Sequence, residues 1–470
     1  MSIASIFLAR SALAVRAARP PFTPSVLALA LLGGSLAQAQ PAASADTALT
    51  LGTVSVSSQG GPLAARSVLS SVTVVPAERL ESSLAANNWQ LFEQVPGTLL
   101  TYFNQGTTSG KLSFRGFNGE GEINAVKLLI DGVPSNSNDG NMPYIDLAPR
   151  LDVESLEVVK GTNDPRYGLH NIAGNVNIAT RRGGDYRIAR VGAGSFGTQD
   201  LQAALGIGQD GFTQNYALAF NDSQGHRDHS DARNVALSGK WFLNSPDGLR
   251  HLGLIARLHQ GTAQEAGYLT RAQRQAQPWQ SPSYNATDED RRQVAQVAVQ
   301  GQMPWGAKTT LNAQVYANQL DDRRFVRFSA TAAQQERFVA ETQVGASATA
   351  TWRAGATALG ELTVVSGMDT ERQDNRSERY TTAAQVRSAQ TRDQQFDFNI
   401  SGAFVQALLK PSARLTLTPA LRVDQVSGSY TNALNGRTYR VNDYGLIQQP
   451  KFSAVYAWSP AASVYGNAGR

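Results

Sequence analysis

Few residues in this chain have the types and spacing to do chemistry, and each candidate set is thin. His226 and His229 stand in the run GHRDHSD with Asp228 and Asp231, a donor set that could hold a metal or a haem. Two histidines and their neighbouring aspartates in a polar loop more often only solvate that loop. Asp131, His170 and a nearby serine have the types of a nucleophilic triad, but nothing in their spacing places them together. There is no GxSxG, HExxH or phosphate-binding glycine loop, and no run of aspartates with calcium-loop spacing. The 470 residues contain no cysteine, which removes thiolate metal sites, disulfides and thiol redox chemistry. The expectation is a protein that is not an enzyme and carries no resident cofactor or metal.

The elements around these residues say more than the residues do. Between residues 126 and 182 lie three apolar runs, 126–130, 156–159 and 176–178, bounded by Asp131-Gly132, Gly161, Gly168 and Gly174. Runs of about five residues with such punctuation are strands. Asp131-Gly132 marks a tight turn. Residues 68–75 (VLSSVTVV), 99–103 and 111–114 also read as strands. Residues 83–95 read as a helix with Trp89, Phe92 and Val95 on one face, stopped by Pro96-Gly97.

From Tyr186 onward the texture changes to alternation. Phe396, Phe398, Ile400 and Phe404 alternate with Asp397, Asn399 and Ser401. Leu415, Leu417, Leu421 and Val423 alternate with Arg414, Thr416, Thr418 and Arg422. Leu252, Leu254 and Leu258 do the same, with Ile255 breaking the polar face. About thirteen strands fit between 186 and 470. Short connections (209–211, 245–248, 302–308, 353–360, 410–414, 459–461) alternate with long polar ones (221–233, 261–290, 321–342, 372–395, 428–442). Loops that sort by parity, with strands apolar on one face, predict a transmembrane antiparallel β-barrel. A soluble sandwich would alternate but would not sort its loops.

The N-terminus agrees with that compartment. Arg10, Arg16 and Arg19 precede the apolar run 26–32, followed by Gly33-Gly34 and an A-x-A site at Ala37-Gln38-Ala39. This is a secretory signal, because seven apolar residues cannot span about 30 Å of hydrocarbon. Formal net charge is +5. Removing the three arginines leaves about +2 (5 − 3), with no basic run to suggest nucleic acid. A chain that spans a membrane without long apolar helices must close as a barrel.

In order and spacing, VPG at 95–97, LSFRGF at 112–117, LLIDGVP at 128–134 and VESLEVVKG…YGLHNIAGNVNIATRR from Val153 resemble the plug domain of TonB-dependent outer-membrane receptors, of the siderophore-receptor type. The resemblance covers roughly residues 80–184. It implies a mainly β fold, a small α/β plug filling a barrel of about 22 strands. It divides the chain into a signal peptide (1–39), a flexible periplasmic segment (40–62), a plug (63–184) and the N-terminal part of a barrel (185–470). Leu51, Gly52, Thr53, Val54, Ser55 and Val56 then resemble the TonB box, an extended, unpaired segment that adds as a strand to TonB. With only about a dozen residues between Ala39 and the box, no extra signalling domain is expected. The final residue Arg470 is not the family's terminal aromatic, and about nine strands, some two hundred residues, are expected beyond it.

The implied activity is uptake of a metal chelate, a ferric siderophore first among them, across the outer membrane of a Gram-negative bacterium. The plug gates it and the inner-membrane proton gradient drives it, so iron would be cargo. The implied partners are TonB with ExbB and ExbD, the chelate, and outer-membrane lipid and lipopolysaccharide. The rival readings are a passive pore or surface protein, and a truncated receptor fragment that does not function. Arg115 and Lys160 match plug bases that pair with barrel carboxylates, although Lys replaces the usual Arg at 160. Thr162 and Asn175 also depart from the family's usual Pro and Gly. Three plug tips, 102–110, 118–122 and 135–144, would face the outside. They make Tyr102, Phe103, Gln105, Asn118, Asn136, Asn138 and Tyr144 the candidate ligand contacts, since aromatics and amides suit a large polar chelate.

Overall fold

The computed structural model describes residues 55–58, 61–64, 71–102 (save 82, 84 and 86), 110–117, 124–161, 164–459 and 462–470. The signal-peptide segment and Leu51, Gly52, Thr53 and Val54 of the proposed box lie outside them. Ser55 and Val56 fall in β1 (Ser55–Ser58), which pairs antiparallel with β2 (Gly61–Ala64). The expectation of an unpaired tail over 40–62 is corrected there, because Ser55 and Val56 lie opposite Ala64 and Leu63.

A small mixed sheet follows. It is built from β3 (Ser71–Pro76), β6 (Val126–Ile130), β7 (Val133–Pro134), β8 (Val153–Lys160) and β9 (Gly174–Thr180), in the order β3-β8-β9-β6-β7. β4 (Thr98–Tyr102) and β5 (Gly110–Phe114) form a separate hairpin. β6 runs parallel to β9 and every one of its five residues is buried. That is why VKLLI is nearly continuous in apolar residues: a strand covered on both faces has no polar side to show. At its end Asp131 and Gly132 have φ of 51° and 79°. Two successive positive φ angles make the type I′ turn that a two-residue hairpin needs, and Gly tolerates the second.

The helix expected over 83–95 is instead a short α-helix, α1 (Ala77–Glu81), and a 3-10 helix (Asn88–Gln94) capped by Asn87. Trp89, Phe92 and Val95 recur every three residues, which is the period of a 3-10 helix. All three are buried beside Leu112, Phe114, Leu128 and Ile130.

After Thr180 the chain enters a second, much larger antiparallel sheet. Its strands are β10 (Tyr186–Gly194), β11 (Thr198–Gln209), β12 (Phe212–Ser223), β13 (Ala232–Asn244), β14 (His251–Gln264), β15 (Glu289–Trp305) and β16 (Thr309–Val326). They continue as β17 (Gln334–Thr357), β18 (Gly360–Ala383), β19 (Val386–Ser412), β20 (Leu415–Asn432), β21 (Arg437–Arg440), β22 (Ile447–Ser459) and β23 (Ala462–Gly469). Thirteen of them lie side by side in chain order and β21 pairs only β20. Among the described residues β10 and β23 do not pair with each other. No described helix is long and apolar enough to cross a membrane.

Leu252, Leu254, Leu258 and Leu421 point outward, while Arg257, His259 and Arg422 are buried on the inner face. Ile255 breaks the polar face because it is an inner residue packed with Val133 of the small sheet. Two expectations fail. The aromatic side of β19 faces inward: Ile400 and Phe404 are buried and Phe396 and Phe398 line an inner cavity. The 372–395 segment is no loop. β18 and β19 run on as a paired hairpin to Ala384-Gln385, held by cross-strand charges such as Arg376 with Asp393.

Candidate functional site

The small sheet packs against the inner face of the large one, and the hairpin turn 130–137 meets that face. Inner side chains of β15, β16 and β17 reach this turn as a set of amides. Gln300 Nε2 donates to the Asp131 carbonyl at 2.7 Å and Gln314 Nε2 to the Gly132 carbonyl at 3.0 Å. Asn318 Nδ2 donates to the Pro134 carbonyl at 2.8 Å and Gln343 Nε2 to the Asn136 carbonyl at 2.6 Å. Gln296 Nε2 reaches Ser135 Oγ at 3.1 Å. Amides suit this task because they supply donors to buried carbonyls without bringing charge into a dry site.

Below the clasp lies a buried charge cluster. Lys240 Nζ sits 2.8 Å from both Asp152 oxygens, and all of these side chains are fully covered. Arg257 pairs with Asp131, and Thr180 donates its N–H and hydroxyl to the same carboxylate at 2.7 and 2.6 Å. Burial alone would raise the Asp131 carboxyl, but Arg257, Arg182, Lys240 and Thr180 outweigh it and hold it at about 2. Arg150 adds a third pair across the two sheets, to Asp200 at 2.9 Å. Further round the wall, Arg422 donates to the carbonyls of Pro165 and Arg166 at 3.4 and 3.3 Å and is itself held by Asp369 and Asp424. It presses on Gly168, where a Cβ would lie 2.5 Å from Arg422 Nη2.

The pairing expected at Arg115 and Lys160 is not made among the described residues. Arg115 is exposed on a turn with φ of 52°. Lys160 is buried and donates to the Pro96 carbonyl within the small domain, where burial and then Arg115 lower its amine. Among the described residues neither meets a carboxylate of the large sheet. Two of the three pairs reverse the expected polarity, with inner acids Asp131 and Asp152 answered by wall bases. Sequence reasoning missed Lys240 and Arg257, although both stand at inner positions of alternating strands.

Above the turn, toward the long-loop end, a cavity of about 620 Å³ opens between the two sheets. Asn138, Asp139 and Asn141 form its floor with Trp89 and Lys111, and Glu341, Asn375, Arg392, Phe396 and Phe398 its wall. Glu341 accepts from the Asn138 N–H at 3.0 Å and from Asn375 at 3.0 Å. Phe398, Phe396, Tyr430 and Tyr439 run as an aromatic strip with centroids 5.8, 4.9 and 5.9 Å apart.

Of the candidate contacts, Asn138 lines this cavity. Asn136 does not: its amide is used up internally, accepting from Leu128 N–H and donating to the Val126 and Gly140 carbonyls. Tyr144 is fully buried in the small domain's core. Tyr102 ends β4, and Phe103, Gln105 and Asn118 lie outside the described residues. His229 Nε2 is engaged with the Asp288 carbonyl at 2.7 Å and His226 lies edge-on to Phe196. His170 packs at Gly140, away from the partners that saturate Asp131.

The model of the TonB-dependent receptor plug domain matches residues 64–175, and that of the TonB-dependent receptor-like β-barrel matches residues 127–470. The chain belongs to the TonB-dependent receptor family. It is an outer-membrane receptor and not an enzyme. It is 30% identical over 130 residues to the vitamin B12 transporter BtuB of Vibrio vulnificus, covering 27% of this chain and 21% of that protein. It is 28% identical over 168 residues to the iron-regulated outer membrane virulence protein of Vibrio cholerae, 34% and 24% of the two chains. Unliganded ferric citrate transporter FecA superposes with a TM-score of 0.74 at 18% identity, over 85% of this chain and 62% of that one. The ferric yersiniabactin uptake receptor FyuA of Yersinia pestis gives 0.68 at 17%, over 85% and 64%. The chain thus covers under a quarter of those curated relatives and about three fifths of those solved receptors. At these identities the solved structures speak for the fold alone.

Proposed function

We propose that the receptor to which this chain belongs imports a metal chelate, a ferric siderophore being the first candidate, across the outer membrane. Residues 63–184 act as the plug and 185–470 as barrel wall. Ligand enters the cavity above the plug, and TonB with ExbB and ExbD supplies the work that moves the plug aside. One observation carries this reading: a cavity of about 620 Å³ stands directly over a turn whose successive carbonyls are each held by a wall amide. Moving the plug would have to separate that set of hydrogen bonds and the buried ion pairs beneath it together. Separating so many contacts in one movement is the kind of work an energised partner would supply. A passive pore needs neither the plug nor the clasp.

Ligand binding would have to be felt at the box. Glu341 touches both the cavity and the Asn138 backbone at the edge of the clasped turn, which offers a physical link between the two. The test is deletion of residues 51–56 in the complete receptor. Uptake of chelated iron by iron-starved cells is expected to be lost while surface binding persists. Uptake that survives both the deletion and collapse of the proton gradient would overturn active transport.

A further inference from the structure

The strand register places four arginines directly opposite one another across neighbouring strands. Arg324 of β16 faces Arg337 of β17, Arg337 faces Arg379 of β18, and Arg379 faces Arg392 of β19. Directly opposed residues share a face, and strands lie about 4.8 Å apart, so the row runs for about 14 Å. That face is the inner one. Asp322, Val339, Ser377 and Gln394 stand opposite one another two residues further along the same strands, and they line the cavity together with Arg392.

Like charges set directly opposite each other destabilise a sheet, so such a row needs counter-charge. Arg324 has it, in a two-bond contact with Glu265 at 2.5 and 2.7 Å. Arg337 donates only to the Gln335 amide oxygen, at 3.2 and 3.3 Å, and lies over the Phe328 ring. Arg379 Nε is buried without a hydrogen-bond partner. Among the described residues no carboxylate pairs with Arg337, Arg379 or Arg392. The nearby acids Glu336, Glu378 and Asp393 alternate onto the opposite face and are committed to Arg323, Arg387 and Arg376.

We propose that this row is an anion-recognition site at the mouth of the cavity, built for the acidic groups of the ligand. The cargo would then be a polyanion, presenting carboxylate or phosphate-type oxygens a few ångströms apart. Guanidinium groups grip such oxygens in pairs, and their summed field draws anions toward the cavity. This rests on the import reading and narrows its ligand class.

The test uses the full chain purified from outer membranes in detergent, with citrate and inorganic pyrophosphate as probes. Both are expected to raise the thermal midpoint of the wild type, with binding that weakens as salt is added. The triple variant Arg337→Gln, Arg379→Gln, Arg392→Gln should bind at least about tenfold more weakly, the usual loss when a charged hydrogen bond is removed. Arg379→Lys should retain more binding than Arg379→Gln. Without anion, Arg379→Gln should be no less stable than the wild type, because repulsion is relieved. No response of the wild type to either probe, or an equal response of wild type and triple variant, overturns the proposal. If the triple variant does not assemble, Arg379→Gln alone is read by the same criteria. The box-deletion experiment fails or succeeds independently, since anion binding in detergent needs no energy source.

Discussion

The clasped turn and the cavity above it are made from the same inner face of the same strands, yet they are opposites in bonding. Around residues 130–137 the carbonyls of the buried plug turn are met by wall amides, and Asp131 and Asp152 by wall bases. A few residues further along β16 to β19 the lining mixes aromatic, amide, acidic and cationic side chains, and among the described residues three arginines of the row pair with no acid. Groups satisfied by the protein itself hold a resting state. Groups left unsatisfied are available to something that arrives. The contrast is a difference in saturation, and not in polarity.

The sharpest way to break this contrast is to unbalance the saturated region. Lys240→Met is expected to cost about 3–5 kcal/mol, because it leaves Asp152 charged, buried and alone. Adding Asp152→Leu should recover most of that, and urea unfolding of both variants checks it. If Lys240→Met were harmless, the cluster would not hold the plug.

Acid should weaken the same region by a smaller amount. Asp131 is held at about 2 in the folded protein, below its unfolded value of about 3.9. Its contribution is therefore complete above about pH 4 and lost as pH falls through about 2, for roughly 2 kcal/mol in all. The stability gap between wild type and Asp131→Asn should shrink across that window. A gap that stays constant from pH 5 to 2 would mean that Asp131 is not ionised in the cluster.

Single amides come next. Gln314→Leu leaves the Gly132 carbonyl without its donor, at about 1–2 kcal/mol. Faster hydrogen exchange confined to residues 130–137 is the expected signature, and unchanged exchange would remove the clasp from the argument. The cavity should be the least sensitive. Asn138→Ala should change stability by less than about 0.5 kcal/mol, because the Asn138 contact to Glu341 is made by its backbone. A large loss there would erase the contrast between the two regions.

The legible parts of this chain were those with local causes. The run VKLLI, the turn at Asp131-Gly132 and the outward leucines of β14 follow from burial, φ and alternation. The three-residue spacing of Trp89, Phe92 and Val95 was visible but was matched to the wrong helix. The phase of β19 was misread because a lumen filled by a plug and an open cavity tolerates aromatics, so alternation alone does not name the lipid side. The 372–395 hairpin looked like a loop because its charges are satisfied across strands, which no single strand reveals.

Taken alone, the sequence determined that this is a plugged β-barrel receptor chain, because motif order, alternation and loop parity are properties of one chain read in order. It also determined where the turns fall, because positive φ restricts them to residues that tolerate it. Only the tertiary structure decided which charges meet. Asp131 and Arg257 are separated by 126 positions and Asp152 and Lys240 by 88, and nothing local selects either partner. The arginine row is of the same kind: each arginine is unremarkable in its own strand, and register alone sets the four side by side.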